Sequence, residues 1–328
     1  MSRLPRLVTL LTAVLLMAAA ATGCGVTRGE DPAGLHRLRM MVPNSPGGGY
    51  DLTARTAVKI MEDDDITGRV EVFNVLGAGG TVAMARLMNE KGNDDLMMTM
   101  GLGVVGATYT NGSKIKASDA TALAKLIEDP GAIFVPADSP FRTVKDFVVA
   151  WKADPSKVTI GGGSSPGGPD HLFPMELAKA VGVDPKAVNF VTYDGGGDLL
   201  TALLGKKVTV GTSSPGELID QIEAGQLRVL AVSSDQRIEG IDAPTLKESG
   251  IDLTFANWRG VLAPPGISDG AKNAMIKVLE ELHGTQQWKD ALAKNGWTDA
   301  FVTGAPFEQF LKDQDNRVSS TLTELGLL

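Results

Sequence analysis

Five loops rich in glycine and serine carry the residues most able to do chemistry in this sequence. They are "PNSPGGGYD" (43–51), "NVLGAGGT" (74–81), "GGGSSPGGPDH" (161–171), "TYDGGGD" (192–198) and "GTSSPGE" (211–217). Each follows a short apolar run and opens a helical pattern. A loop at that junction exposes free backbone N–H groups at the positive end of a helix dipole. Glycine lets the backbone approach a ligand closely. Repeated five times, the pattern suits a bound anion better than a set of plain turns. The candidate ligand residues are Ser45, Pro46, Gly47, Gly48, Gly49, Tyr50 and Asp51 in the first loop and Gly79 and Gly80 in the second. Ser164, Ser165 and His171 follow in the third, and Tyr193, Asp194 and Gly195 in the fourth. Gly48 is expected to turn its N–H toward the ligand, so that a side chain there would obstruct the approach or exclude the required φ. Asp51 can cap its own helix, touch ligand, or do both.

Catalytic and nucleotide-binding alternatives have weaker support. "GLGVVG" (101–106) fits the dinucleotide pattern G-x-G-x-x-G, but it follows the third strand candidate, with no acidic residue closing a clear second strand about 20 residues on. "GSSPG" (163–167) fits the nucleophile elbow G-x-S-x-G of serine hydrolases, with Ser165 as nucleophile. That elbow takes an oxyanion N–H from the next residue, and Pro166 has none. His171 stands beside Asp170, yet no partner set converges on it, and a structural or ligand-contacting role is expected. No catalytic residue, metal ligand or cofactor is expected.

Charge and composition limit the function further. A formal net charge of −8 argues against a nucleic-acid partner, which usually calls for a basic face. It leaves an anionic ligand open, because local dipoles decide that. The 328 residues are 43% hydrophobic and 21% charged, enough for two globular domains. The N-terminus has the form of an export signal: Arg3 and Arg6, then "LVTLLTAVLLMAAAA", then small residues up to Cys24. The apolar run is shorter than the roughly 20 residues of a membrane span. Cys24 is the sole cysteine, so it cannot form an internal disulfide. The "ATGC" tetrad resembles a bacterial lipobox, with residues 1–24 as lipoprotein signal, Cys24 as the acylated residue and 25–35 as a tether. An extracytoplasmic protein anchored to the membrane by lipid is expected.

The elements that must position the loops alternate between strand and helix. Strand candidates include 38–42, 70–74, 96–100, 132–135, 157–160, 188–191, 208–210 and 227–232. The alternation predicts an α/β architecture with largely parallel sheets. Thr143 and Asp146 stand at capping-box spacing ahead of the apolar face Val144, Phe147, Val148 and Trp151. Ser214, Pro215 and Glu217 are expected at N-cap, N1 and N3 of another helix. Late apolar stripes at Met275, Val278, Leu279, Leu282 and at Phe307, Phe310, Leu311 mark two more.

Together these segments resemble the substrate-binding receptors of tripartite tricarboxylate transporters, also called Bug receptors. The likeness runs over about residues 38 to 325. It is carried by "VPNSPGGGYDLTAR" (42–55), "NVLGAGGTVAMA" (74–85), "DSPFRTVKDF" (138–147) and "GGGSSPGGPDHL" (161–172). "VTYDGGGDLLTALLGKKV" (191–208), "GQLRVLAVSSDQR" (225–237), "APTLKESG" (243–250) and "WRGVLAPPGI" (258–267) continue it in order. The resemblance implies a two-domain fold of the type II periplasmic-binding-protein kind, with a ligand cleft between the domains. Domain 1 would be 36–135 plus 257–328, and domain 2 would be 136–256. It further implies a monomer that binds a small organic carboxylate and hands it to membrane permease subunits, with a sensor protein as an alternative partner. In such receptors the loop corresponding to Pro46–Asp51 meets the ligand carboxylate through N–H groups and water, and the loops at 161–171 and 192–198 close from the other side. Asn44, Ser45, "NDDLMMTM" (93–100) and Pro174 depart from the commoner family pattern. Arg55, Arg86, Arg237 and Arg259 are available to meet further carboxylates.

Overall fold

The computed structural model describes residues 37–328. The expected signal, Cys24 and tether lie outside the described residues. The chain opens with β1 (Arg39–Val42), α1 (Gly49–Asp63), β2 (Glu71–Asn74), α2 (Thr81–Asn89), β3 (Leu96–Gly101), α3 (Leu102–Thr110) and β4 (Thr121–Pro130). It then crosses into a second sheet through β5 (Ala132–Pro136), α4 (Val144–Ala153), β6 (Thr159–Gly162), α5 (Pro169–Val181) and β7 (Asn189–Thr192). That lobe continues with α6 (Gly196–Leu204), β8 (Val210–Ser213), α7 (Ile219–Glu223) and β9 (Leu227–Val232). The return supplies β10 (Ala256–Ala263), α8 (Asp269–Gly284), α9 (Gln286–Asn295), β11 (Thr298–Thr303) and α10 (Gly304–Glu324).

The first sheet has the order β11-β4-β10-β3-β1-β2 and the second β7-β6-β8-β5-β9. Both sheets are mixed, where a largely parallel pairing was expected. β1 pairs in parallel with β2 and β3, and β6 with β7 and β8. The strands that cross between lobes, β4, β5 and β10, pair antiparallel with their neighbours. The reason is topological. A strand that enters a sheet from the other lobe comes from the opposite end and needs no helical crossover. The sheet pairing also moves the first domain boundary. The expectation put it at 135, but Ala132–Pro136 already pairs with β8 and β9, so the crossing is at Gly131. An apolar run alone does not tell which sheet it joins. The return crossing lies between Val232 and Ala256.

The two crossings are tied together. Ser233 N–H donates to the Gly131 carbonyl at 2.8 Å, Phe255 N–H to the Ser233 carbonyl at 3.1 Å, and the Ser233 hydroxyl to the Phe255 carbonyl at 2.6 Å. Phe173 packs on Phe255 with ring centroids 5.4 Å apart, which continues the apolar core through the hinge.

Local sequence chemistry explains α4. Thr143 Oγ1 accepts from Asp146 N–H at 3.2 Å, and Asp146 Oδ2 accepts from the N–H groups of Thr143 and Arg142, both at 2.9 Å. Its apolar face buries Val144, Phe147 and Trp151, with Phe147 stacked on Trp151 at 5.0 Å. We predict that Thr143→Ala lowers unfolding stability by about 1 kcal/mol in a urea melt. An unchanged midpoint would show that the box contributes nothing net.

Candidate functional site

The C-terminal ends of β1 and β3 face those of β6 and β8 across the space between the lobes. This is the place where open α/β sheets take ligands. An outer cleft of about 440 Å³ lies there, bounded by Leu76–Gly80 from one lobe and by Ser164, Ser165 and Thr192–Gly195 from the other. Beneath it is a smaller cavity of about 60 Å³, walled by Asp129, Asp170, Glu217, Asn257 and Arg259. Asn44, Tyr50, Gly103, Gly163, Ser164 and Gly195 line both spaces, so the two are continuous.

The lobes touch across the cleft. Ser45 Oγ donates to Asp194 Oδ2 at 2.8 Å, and Thr110 Oγ1 to the Pro166 carbonyl at 3.1 Å. Gly106 meets Gly167 so closely that a Cβ on Gly106 would fall 1.8 Å from the Gly167 oxygen. Backbone approach of this kind requires glycine.

The first loop is held by Asp51. Its carboxylate accepts from Gly47 N–H (2.9 Å), Asn74 Nδ2 (2.9 Å) and Arg55 Nε (2.9 Å). Burial acts to raise this carboxyl, but the donors outweigh it and hold it below the usual carboxylate range. Asp51 therefore faces its own loop, not the cavity. Gly47 has φ +85°, while Gly48 has φ −77°, which any residue can adopt. The expectation for Gly48 needs correction on two counts. Its N–H donates to the Ser45 carbonyl at 3.2 Å, and a Cβ there would first meet the end of the Asn44 side chain. The uncapped N-terminus of α1 starts at Gly49, and Gly49 and Tyr50 line the inner cavity. Ser45, Pro46, Gly47, Gly48 and Asp51 do not line either space.

Of the other candidates, Gly79, Gly80, Ser164, Ser165, Tyr193, Asp194 and Gly195 all border the outer cleft. His171 does not. Its Nδ1 accepts from Gly167 N–H at 2.9 Å, and its ring lies 4.7 Å from that of Phe190. Desolvation pushes its pKa down to about 4, so it is a neutral pin for the third loop. Among the described residues no hydrogen bond joins Ser165 to a histidine. The "GLGVVG" glycines also serve packing. Gly101 abuts the Trp258 carbonyl, and the hydroxyl of Tyr50 accepts from Val104 N–H at 3.3 Å, filling the N-terminus of α3. Burial raises the Tyr50 pKa to about 12, so the hydroxyl stays protonated.

Sequence reasoning missed most of the inner cavity. Arg259, on β10, is only 2% exposed. Its Nη2 lies 2.5 Å from Asp129 Oδ2 and 3.3 Å from Glu217 Oε1, and its Nη1 donates to Thr53 Oγ1 at 3.1 Å. Asp129 is the next-to-last residue of β4, and Glu217 follows β8. Glu217 was expected at N3 of a helix capped by Ser214. The segment is instead a short 3-10 turn without a side-chain cap, and the carboxylate turns into the cavity. Asp170 is set by Pro174. A proline has no N–H for the carbonyl four residues earlier, and Thr212 Oγ1 donates to that Asp170 carbonyl at 2.8 Å instead. The one legible signal was "KLIEDPG" (125–131), where a carboxylate stands directly before Pro-Gly at the end of a strand. Of the remaining arginines, Arg55 pairs with Asp51, Arg237 with Glu248, and Arg86 lies over the Phe73 ring at 5.1 Å.

The cluster sets three carboxylates against one guanidinium. Burial raises Asp129 to about 6 against the opposing pull of Arg259, and it raises Asp170 and Glu217 as well, with Glu217 adding to the rise of Asp170. An acid whose pKa is raised on folding contributes most below its unfolded pKa, and that stability is lost as pH climbs through the folded value. For Asp129 the window runs from 3.8 to about 6. Arg259→Met removes the only cation paired to these groups among the described residues. We predict a loss of about 3–5 kcal/mol near pH 8 and a smaller loss near pH 5, where protonation relieves the carboxylates. Equal losses in urea melts at the two pH values would contradict this account.

Comparison with known proteins agrees with this geometry. Residues 54–327 match the family model "Tripartite tricarboxylate transporter family receptor". The UPF0065 protein in the gbd 5′ region of Cupriavidus necator is 27% identical over 299 residues, 88% of each chain. A TctC solute-binding protein from Polaromonas, solved without ligand, superposes with a TM-score of 0.64 at 27% identity, over 88% of this chain and 98% of that one. MatC from Rhodopseudomonas palustris, solved with bound malate, shares the fold with a TM-score of 0.75 at 19% identity, over 87% of this chain and 98% of that one.

Proposed function

Because the chain belongs to the tripartite tricarboxylate transporter receptor family, we propose that it captures a small organic carboxylate outside the cytoplasm and delivers it to the permease subunits of such a transporter. The observation that carries this reading is the outer cleft, whose walls are glycine and serine loops from both lobes. The malate in the Rhodopseudomonas relative supports a carboxylate as ligand. The contacts we propose are the open N-terminus of α1 at Gly49 and Tyr50, the loop at Gly79 and Gly80, and Ser164, Ser165, Tyr193 and Gly195 from the second lobe. Helix-terminus charge contributes about 0.3–1 kcal/mol per site, and a charge-assisted hydrogen bond about 1.5–3. A few of these, net of the cost of association, reach micromolar affinity, about −8 kcal/mol. Ligand touching both lobes favours the closed arrangement, since it gains affinity only there.

Ser165 is assigned to binding. Pro166 denies it the oxyanion donor that a hydrolase elbow needs. In a thermal-shift screen of mono-, di- and tricarboxylates, a ligand at 100 times its Kd adds about 2.7 kcal/mol and raises the melting point by several degrees. Ser165→Trp, with its ring in the cleft, is expected to abolish the shift, and Ser165→Ala to change affinity only modestly. If no carboxylate raises the melting point, or if Ser165→Trp binds like the parent, the reading fails.

The location follows the "ATGC" tetrad. In this reading the receptor is a monomer held to the cell membrane by acylated Cys24, on a tether that leaves the cleft free. No helix among the described residues is long and apolar enough to cross a membrane. Cys24→Ser is expected to move the protein from the membrane to the soluble fraction with ligand binding intact. A variant that stays with the membrane refutes the lipid anchor.

A further inference from the structure

The inner cavity poses a question that a carboxylate ligand alone does not answer. Its walls carry Asp129, Asp170 and Glu217 against a single cation, Arg259. Arg259 is already engaged with Asp129 Oδ2, Glu217 and Thr53. Three acceptors in this wall remain without a hydrogen-bond partner, Asn44 Oδ1, Asp129 Oδ1 and Asn257 Oδ1, as does one donor, Arg259 Nε. Asp129 is 0% exposed and Asn257 8%. They are direct register partners across β4 and β10, so their side chains share one face of the sheet. Leaving a buried acceptor unmatched is costly, and more so for a charged group. The site therefore calls for a donor that also brings positive charge.

The chemistry of that donor is narrowed by the surroundings. A carboxylate placed here would face three others. Among the described residues no group of three acidic, histidine or cysteine side chains is arranged to hold a metal ion. The cavity, at about 60 Å³, has room for a small head group, since one water needs roughly 10–15 Å³ on this measure. It opens into the outer cleft past Asn44, Tyr50 and Ser164.

We infer that the ligand is an amino carboxylate, with its carboxylate on the glycine loops of the outer cleft and its ammonium group in the inner cavity against Asp129, Asp170 and Asn257. This rests on the carboxylate-receptor reading above and specifies its substrate class. An ammonium has three N–H donors and no acceptor, which matches the unpaired oxygens of Asp129, Asn257 and Asn44 in this wall. It supplies the charge that burial otherwise makes protons supply, as the raised pKa values of the three acids indicate. A plain di- or tricarboxylate brings no such donor and leaves the same acceptors unmatched. Asp170 can take its place in the wall because Thr212 holds its backbone where Pro174 interrupts the helix ladder.

The test compares matched pairs by calorimetry on the mature protein. Straight-chain α-amino and ω-amino acids of graded length are titrated beside the des-amino carboxylates of the same carbon skeleton. At least one amino acid is expected to bind about tenfold or more tightly than its des-amino partner. Asp129→Asn is expected to weaken the amino acid far more than its des-amino partner, so that the ratio of the two affinities falls to within about threefold of one. Asn257→Ala, which removes an acceptor without touching the ion pair, should reduce the preference in the same direction and serves if Asp129→Asn does not fold. Des-amino carboxylates binding as tightly throughout the series, or a preference unchanged in the folded variants, would overturn the inference and leave the carboxylate-receptor reading standing. If neither series binds, both fall together.

Discussion

The guanidinium of Arg259 is the interaction on which the meeting of the two lobes depends. It projects from β10, the strand by which the chain returns to the first lobe, and it pairs with Asp129 at the end of β4, the strand by which the chain leaves. Its second carboxylate partner, Glu217, comes from the second lobe. One side chain thus joins both crossings to the far wall of the cleft. It also lies under the first turn of α1, where a Cβ on Gly49 would fall 2.1 Å from its Nη2. Gly49 is thus fixed by the arginine below it. Buried charge of this kind is weak evidence for stability, because desolvation offsets much of the Coulomb gain. Its importance is geometric: it fixes where the helix N-termini point.

Around that centre, polar groups are spent on holding loops rather than on facing the cleft. Asp51 takes the Gly47 N–H, His171 takes the Gly167 N–H, and Ser164 Oγ takes the Asp170 N–H at 3.0 Å. The Tyr50 hydroxyl occupies the N-terminus of α3. What remains open is the first turn of α1 and the loop at Gly79 and Gly80. A rigid frame of this type cuts the ordering cost of binding. It also explains why glycine recurs on both sides of the cleft, since backbone from one lobe approaches backbone from the other at Gly106 and Gly167.

The capping box at Thr143, the strand-loop-helix junctions and the glycine-rich loops at strand ends were legible because each is local. Their physics runs over a few consecutive residues: a hydroxyl and a carboxylate three apart, a glycine ahead of an apolar stripe. For two residues inside those loops the sequence left structural and ligand-contacting roles open. His171 and Asp51 have the chemistry of ligand contacts, but their nearest unsatisfied donors belong to their own loops, and local bonds form first. Gly48 was misread because a run of three glycines does not say which of them needs positive φ. Here it is Gly47.

The sequence by itself determined the α/β class, the family, the acidic character and the set of loops at the strand ends. These follow from periodicity, composition and short motifs, which survive in one dimension. Only the tertiary structure decided the sheet that β5 joins, the antiparallel pairing of the crossing strands and the inner cavity. Asp129, Asp170, Glu217, Asn257 and Arg259 are spread over about 130 residues of chain, and no spacing rule links them. Their charge acquires its meaning from burial beside one another. Desolvation and Coulomb terms depend on distance in space, and that distance exists only once both sheets have formed.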